Sequence, residues 1–110
     1  MIHKMKLSEP WYTLVKTNKK IVETRIYDEK RKLLKVNDTI KFSDVNGKKV
    51  FSKKIKKLKI FNSFEKALKY GKLKNILPGI NTYKKGVELY HSISDYKKKE
   101  KINGVLLIFF

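Results

Sequence analysis

The C-terminal segment 105–110, with the sequence VLLIFF, constrains the fold more than any other part of the chain. Successive side chains of a β-strand point to opposite faces, so a strand without polar residues needs apolar neighbours on both faces. We therefore predict that this segment is an interior strand. Six residues are too few for a membrane-spanning helix, which needs about 20 apolar residues. The alternation of charged and apolar residues at 1–7 is not that of a signal peptide either.

The patterns before this segment predict a single domain over residues 1–110. From alternation and β-branched residues, strands are predicted at 2–7, 21–27 and 39–42. Asn46-Gly47 is a strong signal for a type I′ hairpin, so a return strand should begin near residue 49. Segment 51–61 also fits a helical face, but we favour a long strand with a bulge, because the hairpin needs a partner for its first strand.

Helices are predicted between the strands, most of them beginning at a good capping residue and ending at asparagine or glycine. Ser8 should cap the first helix, and the later helical segments are 28–34, 62–70, 81–90 and 94–103. Asn62-Ser63 should begin the helix at 62–70 in a capping-box arrangement, and Asn81-Thr82 should cap the helix at 81–90. By their spacing, the residues expected to face the core are Trp11, Leu14 and Val15, and Tyr83, Val87 and Tyr90. This order of elements predicts an α+β fold, a small mixed β-barrel with flanking helices. Asn37 is expected to take a positive φ in a tight turn.

Charge is the dominant feature of the composition. Twenty-eight Lys and Arg residues stand against ten Asp and Glu residues, a formal net charge of +18. An AT-rich genome would favour Lys over Arg, but it would favour Asp and Glu equally, and these are scarce. Such a surface attracts polyanions, so we expect RNA, another nucleic acid or a nucleotide as the partner. A charge without function is the alternative.

Segment 20–31, with the sequence KIVETRIYDEKR, is the densest polar constellation. Strand alternation puts Glu23 and Arg25 together on the face opposite the core, with Lys20 at the mouth of the strand. Both arginines of the chain, Arg25 and Arg31, lie in this segment, and the planar guanidinium suits bidentate binding of anions. The alternative is a surface ion-pair ladder, Lys20–Glu23–Arg25, with little energetic effect.

The pattern Lys20-x-x-Glu23-x-Arg25-x-x-Asp28-x-Lys30-Arg31 resembles that of the ASCH domain family. The segments that extend the resemblance along the chain are 3–7, 35–42, 64–65, 77–79, 86–90 and 104–108. The resemblance implies a PUA-like fold with a cleft beside its barrel, and RNA binding or transcriptional coactivation. It implies a ligand-binding set, to which we add Tyr90 for its hydroxyl: Lys20, Glu23, Arg25, Asp28, Lys30, Arg31 and Tyr90.

An enzymatic activity is the alternative to binding. One bacterial branch that this chain resembles distantly hydrolyses N4-acetylcytidine, with a Lys and a Thr in a K-x-x-T strand and a later Glu. Lys20 matches the Lys, but Glu23 stands at the Thr position and no later Glu matches. Glu23 can still act as a general base while Lys20 stabilises an oxyanion, so these two are the catalytic candidates of an amidohydrolase. A coactivator-type module that binds an acidic protein is the third hypothesis.

A second basic cluster lies in the predicted long strand. We interpret it as a set of contacts to the nucleic-acid backbone, formed by Lys53, Lys54, Lys56, Lys57 and Lys59. Trp11 and Tyr12 can stack on a base, but the spacing of Trp11 favours a place in the core. We expect Glu23→Gln and Lys20→Ala to impair ligand binding and leave folding nearly intact.

No cofactor or metal is expected. The chain has no cysteine, and His3 and His91 lack the spacing of a metal site. The absence of cysteine also agrees with a location in the cytoplasm, or in a nucleus, rather than with secretion. We expect a monomer without a membrane partner.

Overall fold

A computed structural model describes residues 1–110. It contains two three-stranded sheets with helices packed against them. The strands are β1 (Ile2–Lys6), β2 (Val22–Ile26), β3 (Thr39–Ser43), β4 (Val50–Lys54), β5 (Lys57–Phe61) and β6 (Val105–Phe109). The helices are α1 (Trp11–Lys16), α2 (Phe64–Gly71), α3 (Leu73–Ile76), α4 (Tyr83–His91) and α5 (Tyr96–Asn103), with a 3-10 turn at Arg31–Leu33. The mixed α+β class predicted from the sequence is confirmed.

The prediction of an interior C-terminal strand is confirmed. β6 is the central strand of the second sheet, whose order is β2-β6-β5, and both its pairings are antiparallel. Its two faces serve different cores. Leu106 and Ile108 pack in a first core, and Val105 and Leu107 in a second one that lies under the helices. The absence of polar residues in VLLIFF therefore follows from a strand that separates two cores.

The first sheet has the order β1-β3-β4, with β1 parallel to β3 and β4 antiparallel to it. The long strand predicted at 51–61 is divided into β4 and β5 by a break at Ile55 and Lys56. Ile55 is fully buried and exchanges backbone hydrogen bonds with Asn37 and Asp38, while the Lys56 amide donates to Phe109. The chain passes from one sheet to the other at this point.

The strand ladders form two separate sheets and do not close the expected small mixed β-barrel. β1 and β2 are edge strands of their respective sheets, and no ladder joins them. The seam between β1 and β2 therefore stays open.

The first helix differs from the prediction. α1 begins at Trp11, after Pro10, and Ser8 does not cap it with its side chain. Instead the Glu9 carboxylate accepts hydrogen bonds from the Thr13 amide at 3.0 Å and from the Thr13 hydroxyl at 2.7 Å. The later start turns the helix so that Tyr12 is buried, while Trp11 is half-buried and packs against the edges of both cores.

Two further local predictions are corrected. Only Gly47 has a positive φ in the Asn46-Gly47 pair, so the turn is not type I′. The hairpin loop is longer, and the Asp44 carboxylate orders it by accepting the amides of Lys48 and Lys49. Tyr83 is 40% exposed instead of facing the core.

Other local predictions are confirmed. Asn37 has a φ of 77°, as expected for its turn. The side chains of Ser63 and Thr82 cap α2 and α4 by accepting the amides of Lys66 and Lys85. No helix combines the length and apolar character that a membrane span requires.

Candidate ligand cleft

A cleft of about 320 Å³ occupies the open seam between the edge strands β1 and β2. One wall comes from the end of β1 and the start of α1, the floor from β2, and the other wall from α4 and α5. The residues that line it are Lys6, Leu7, Ser8, Trp11, Lys20, Glu23, Thr24, Arg25, Leu77, Leu89, Tyr90, Ile93 and Tyr96. Such a volume is at the lower end of the range for small-molecule sites, about 300 to 1,000 Å³.

The floor of the cleft carries an ionic triad formed by Lys20, Glu23 and Arg25. One oxygen of Glu23, Oε1, lies 3.4 Å from the Lys20 ammonium, and the other, Oε2, lies 3.0 Å from the Arg25 guanidinium. The Thr24 amide also donates to Oε1 at 3.0 Å. The triad that the strand alternation predicts therefore exists, but it is buried instead of forming an exposed ladder.

Lys20, expected at the mouth of the strand, precedes β2 by two positions and is buried there. The turn after α1 directs it inward, because Asn18 takes a φ of 64° and the amides of Lys19 and Lys20 both bond to Leu14. The side chain is 2% exposed. Its ammonium donates to the carbonyl of Val22 at 2.8 Å and to the carbonyl of Ile76.

These contacts correct the expectation that Lys20→Ala leaves folding nearly intact. The ammonium thus has two carbonyl acceptors and the Glu23 carboxylate around it, the last as an ion-pair partner at 3.4 Å. Removing the side chain would leave a buried carboxylate with one cation fewer and two carbonyls without their donor. Lys20 is therefore as much a structural residue as a ligand-binding one.

Opposing effects set the ionisation of the triad. Burial alone would raise the pKa of Glu23, but Lys20 and Arg25, together with the Thr24 amide, outweigh it and hold that pKa below its usual value. For Lys20 the balance is reversed, because burial lowers the pKa of the ammonium more than Glu23 raises it. Glu23 is therefore the carboxylate acceptor at the floor, as its two cationic neighbours predict.

Arg25 joins the two edges of the seam. Its guanidinium holds Glu23 on β2 and donates to the backbone carbonyl of Lys6 on β1 at 3.1 Å. The side chain keeps 17% of its surface exposed, the largest exposed fraction among the three members of the triad. Arg25 therefore spans the gap that no strand ladder closes.

Aromatic side chains form both walls. Trp11 stands on the α1 side, with its ring centre 5.7 Å from the Lys20 ammonium. Tyr90 stands on the α4 side, stacked against Phe64 at 4.5 Å with nearly parallel rings. Burial, and next the Glu23 carboxylate, raise the pKa of Tyr90, so its hydroxyl stays neutral at physiological pH. Tyr96 completes this wall from α5.

The other residues of the predicted set lie next to the cleft. Arg31 donates to Asp28 through its side chain at 3.2 Å and through its amide at 3.1 Å. Lys30 and Arg31 line a second cavity that adjoins the cleft, whereas Asp28 lines neither cavity and acts by holding Arg31. The sequence motif is thus divided between two neighbouring cavities.

The predicted backbone-contact lysines do not line the cleft. Lys53 is half-buried and bonds to Asn18, and the other four are exposed. Lys57 donates to the Tyr70 hydroxyl at 2.5 Å, and Lys59 lies over the same ring. The five lysines follow the outer edge where β4 passes into β5, so they offer a strip of charge and not a single pocket.

The two histidines have structural partners. His3 lies 2.8 Å from Asp38, and His91 lies 2.8 Å from Glu100, whose other oxygen accepts the amide of Phe64 at the start of α2. No group of three or more His, Cys, Asp or Glu side chains is placed to hold a metal ion.

Several cleft residues carry no signal in the sequence. Leu89, Ile93 and Tyr96 reach the cleft from α4, from the turn after it and from the start of α5, which lie far along the chain from α1 and β2. Only the packing of these elements around the seam brings them together. Trp11 was a possible signal, but its helical spacing favoured the core.

Comparison with known proteins identifies the family. The ASCH domain model matches residues 5–109. The crystal structure of hypothetical protein PH0355 superimposes with a TM-score of 0.89 at 36% identity, covering 99% of this chain and 96% of that one. The solution NMR structure of protein PF0455 from Pyrococcus furiosus gives 0.78 at 37% identity, covering 99% and 94%. No functionally curated protein matches the chain. With its fold, its cleft and its Lys-x-x-Glu-x-Arg strand, the chain belongs to the ASCH domain family.

Proposed function

We propose that this protein binds RNA, or a nucleotide, by taking one nucleobase into the cleft between β1 and β2. The observation that carries the proposal is the ionised Glu23 at the floor of a small cleft with aromatic walls, held between Lys20 and Arg25. A base has a flat apolar face and a polar edge, and the walls and floor of this cleft offer partners for both.

The floor suits the edge of a base with an amino group. A carboxylate has about four acceptor positions, and Glu23 accepts one hydrogen bond on each oxygen, while the Lys20 ammonium lies 3.4 Å from Oε1 as an ion-pair partner. The remaining position on Oε2 can accept an exocyclic amino group, a pairing that Glu makes with cytosine. Cytosine, adenine and guanine carry such a group, and uracil does not.

The walls suit the face of the base. Stacking of a base on an aromatic side chain contributes about 1 to 3 kcal/mol and tolerates different bases. Trp11 is half-buried at the cleft, so part of its ring is available. Tyr90 is only 7% exposed and its ring is stacked on Phe64, so it gives the cleft a rigid side, while Trp11 supplies the stacking surface.

The net charge of +18 supports a polyanionic partner. Lysines that displace counterions from phosphates give binding that depends on salt and only weakly on sequence. The strip from Lys53 to Lys59 lies outside the cleft, where it can contact the backbone of a longer strand.

The contacts of Lys20 favour binding over amide hydrolysis. To stabilise an oxyanion, its ammonium would have to give up one of three protein acceptors. Glu23 likewise holds two cations and would lose them on protonation as a general base. Hydrolysis of N4-acetylcytidine by the intact protein, lost in a Glu23→Gln variant that circular dichroism shows to be folded, would contradict the proposal and establish the enzyme.

The test is the affinity for a fluorescein-labelled single-stranded RNA decamer, measured by anisotropy at low salt. Glu23→Gln should weaken binding about tenfold or more, as expected for a lost hydrogen bond to a charged group. Glu88→Gln is the matched control, because Glu88 is exposed on α4 and makes no ion pair. Both variants are first shown to be folded by circular dichroism. Equal affinities of the two variants would contradict the proposed site.

A further inference from the structure

A second cavity, which we call the basic pocket, adjoins the cleft. It has a volume of about 400 Å³, and Lys6 and Arg25 line both cavities, so the two share a wall. Its other polar residues are Lys4 on β1 and Ser43 at the end of β3. Lys30 precedes the 3-10 turn and Arg31 begins it, and both also line the pocket. Only one apolar residue, Met5, contributes to it.

The basic pocket has an excess of positive charge. Five of its residues are cationic, and none of the residues that line it is acidic. Two of the cations are paired with carboxylates, Arg25 with Glu23 at 3.0 Å and Arg31 with Asp28 at 3.2 Å. The three lysines make no ion pair within the protein.

The backbone holds these groups at fixed positions. Lys4 and Lys6 are two residues apart on β1, so they project from the same face of the strand. β1 pairs in register with β3, which places Ser43 beside Lys6 and its hydroxyl at the same end of the sheet. Asp28 fixes Arg31 through two hydrogen bonds, and Nε of Arg31 is buried without an acceptor.

From this arrangement we propose that the basic pocket binds the phosphate of the nucleotide whose base lies in the cleft. The inference rests on the proposed function and makes it more specific, because it identifies the ligand as a phosphorylated nucleotide or a strand of RNA and not a free nucleoside. Guanidinium and ammonium groups bind phosphate oxygens through short, charge-assisted hydrogen bonds. Arg25, which lines both cavities, lies where base and phosphate recognition meet.

The experiment uses the fluorescence of Trp11, the only tryptophan of the chain and a wall of the cleft. Cytidine, adenosine and guanosine, and the 3′- and 5′-monophosphate of each, are titrated separately into the intact protein. Inorganic phosphate is a further probe, and its binding is followed by the shifts of backbone amide signals in NMR spectra. We expect at least one monophosphate to bind ten times more tightly than its nucleoside. Inorganic phosphate should shift the amides of Lys4 and Ser43 without quenching Trp11.

A pair of charge-matched variants tests the pocket itself. Lys4→Gln combined with Lys30→Gln should reduce the ratio of monophosphate affinity to nucleoside affinity at least fivefold. Lys84→Gln combined with Lys98→Gln removes the same charge from exposed positions on α4 and α5, and it should leave that ratio unchanged.

The outcomes separate the inference from the proposed function. If nucleosides quench Trp11 and no monophosphate binds more tightly than its nucleoside, the inference is overturned, but the proposed base-binding cleft is supported. An equal fall of the ratio in both double variants would also overturn it, because the gain would then come from net charge alone. No quenching by any nucleoside or nucleotide would overturn the proposed function and the inference with it.

Discussion

The ammonium of Lys20 and the carboxylate of Glu23 lie 3.4 Å apart at the floor of the cleft, and each side chain is less than a tenth exposed. A buried ion pair gives little net stability compared with apolar residues, but removing one partner leaves an uncompensated charge. The pair is therefore costly to break once it is formed, and its place at the floor of an open cleft agrees with a role in binding.

Lys20→Met should destabilise the protein strongly. Loss of one partner of a buried ion pair costs about 3–5 kcal/mol, and here two backbone carbonyls also lose their donor. Lys19→Met is the control, because Lys19 is exposed. Urea denaturation of the two variants measures the difference. A change below about 1 kcal/mol for Lys20→Met would contradict the buried position of this side chain.

The stability supplied by Glu23 should disappear in acid. Its pKa is held below the usual value in the folded state, while in the unfolded chain it returns to about 4.3. A carboxylate with a lowered pKa stabilises fully above the unfolded value, and the effect is lost as pH falls through the folded value. The gap in unfolding free energy between wild type and Glu23→Gln should be constant from about pH 6 to 8 and shrink below about pH 4.3.

Urea denaturation at a series of pH values measures that gap. The other carboxylates with lowered pKa values, Glu9, Asp38 and Glu65, are present in both proteins, so their effects on the unfolding free energy cancel in the comparison. A gap that stays constant down to pH 3 would show that Glu23 is not held by its cationic neighbours.

The architecture shows how far the sequence alone could lead. The apolar run at 105–110 was enough to predict the interior strand, and strand alternation was enough to place Glu23 and Arg25 on one face. Both signals are local and depend only on the period of a strand. The caps at Ser63 and Thr82 and the positive φ of Asn37 are local too, because they depend on the residue type at a helix start or in a turn.

The rest depends on contacts between distant segments. Lys20 is buried because Ile76, 56 positions away, supplies a carbonyl acceptor, and no local pattern encodes that contact. Trp11 lies at the cleft because α1 begins after Pro10 and turns Tyr12 inward. The open seam could not be predicted either, since it depends on β1 and β2 lying at the edges of different sheets.

The lysine strip should govern non-specific affinity. Converting Lys53, Lys54, Lys56 and Lys57 to Gln should weaken binding of different single-stranded RNAs by a similar factor. Each lost phosphate contact should also reduce the slope of log affinity against log salt concentration by about 0.7. The matched control is a quadruple variant on α4 and α5, in which Lys84, Lys85, Lys97 and Lys98 are converted to Gln. If both quadruple variants bind alike, the strip has no special part in binding.

The most direct test of the account is whether a base enters the cleft. Trp11 fluorescence is measured while the intact protein is titrated at low salt with a short single-stranded RNA rich in cytosine and adenine. An abasic strand of the same length and charge is the control. We predict saturable quenching by the RNA and little quenching by the abasic strand, because only a base can stack against Trp11. Equal responses to both strands, or none, would contradict base recognition in the cleft.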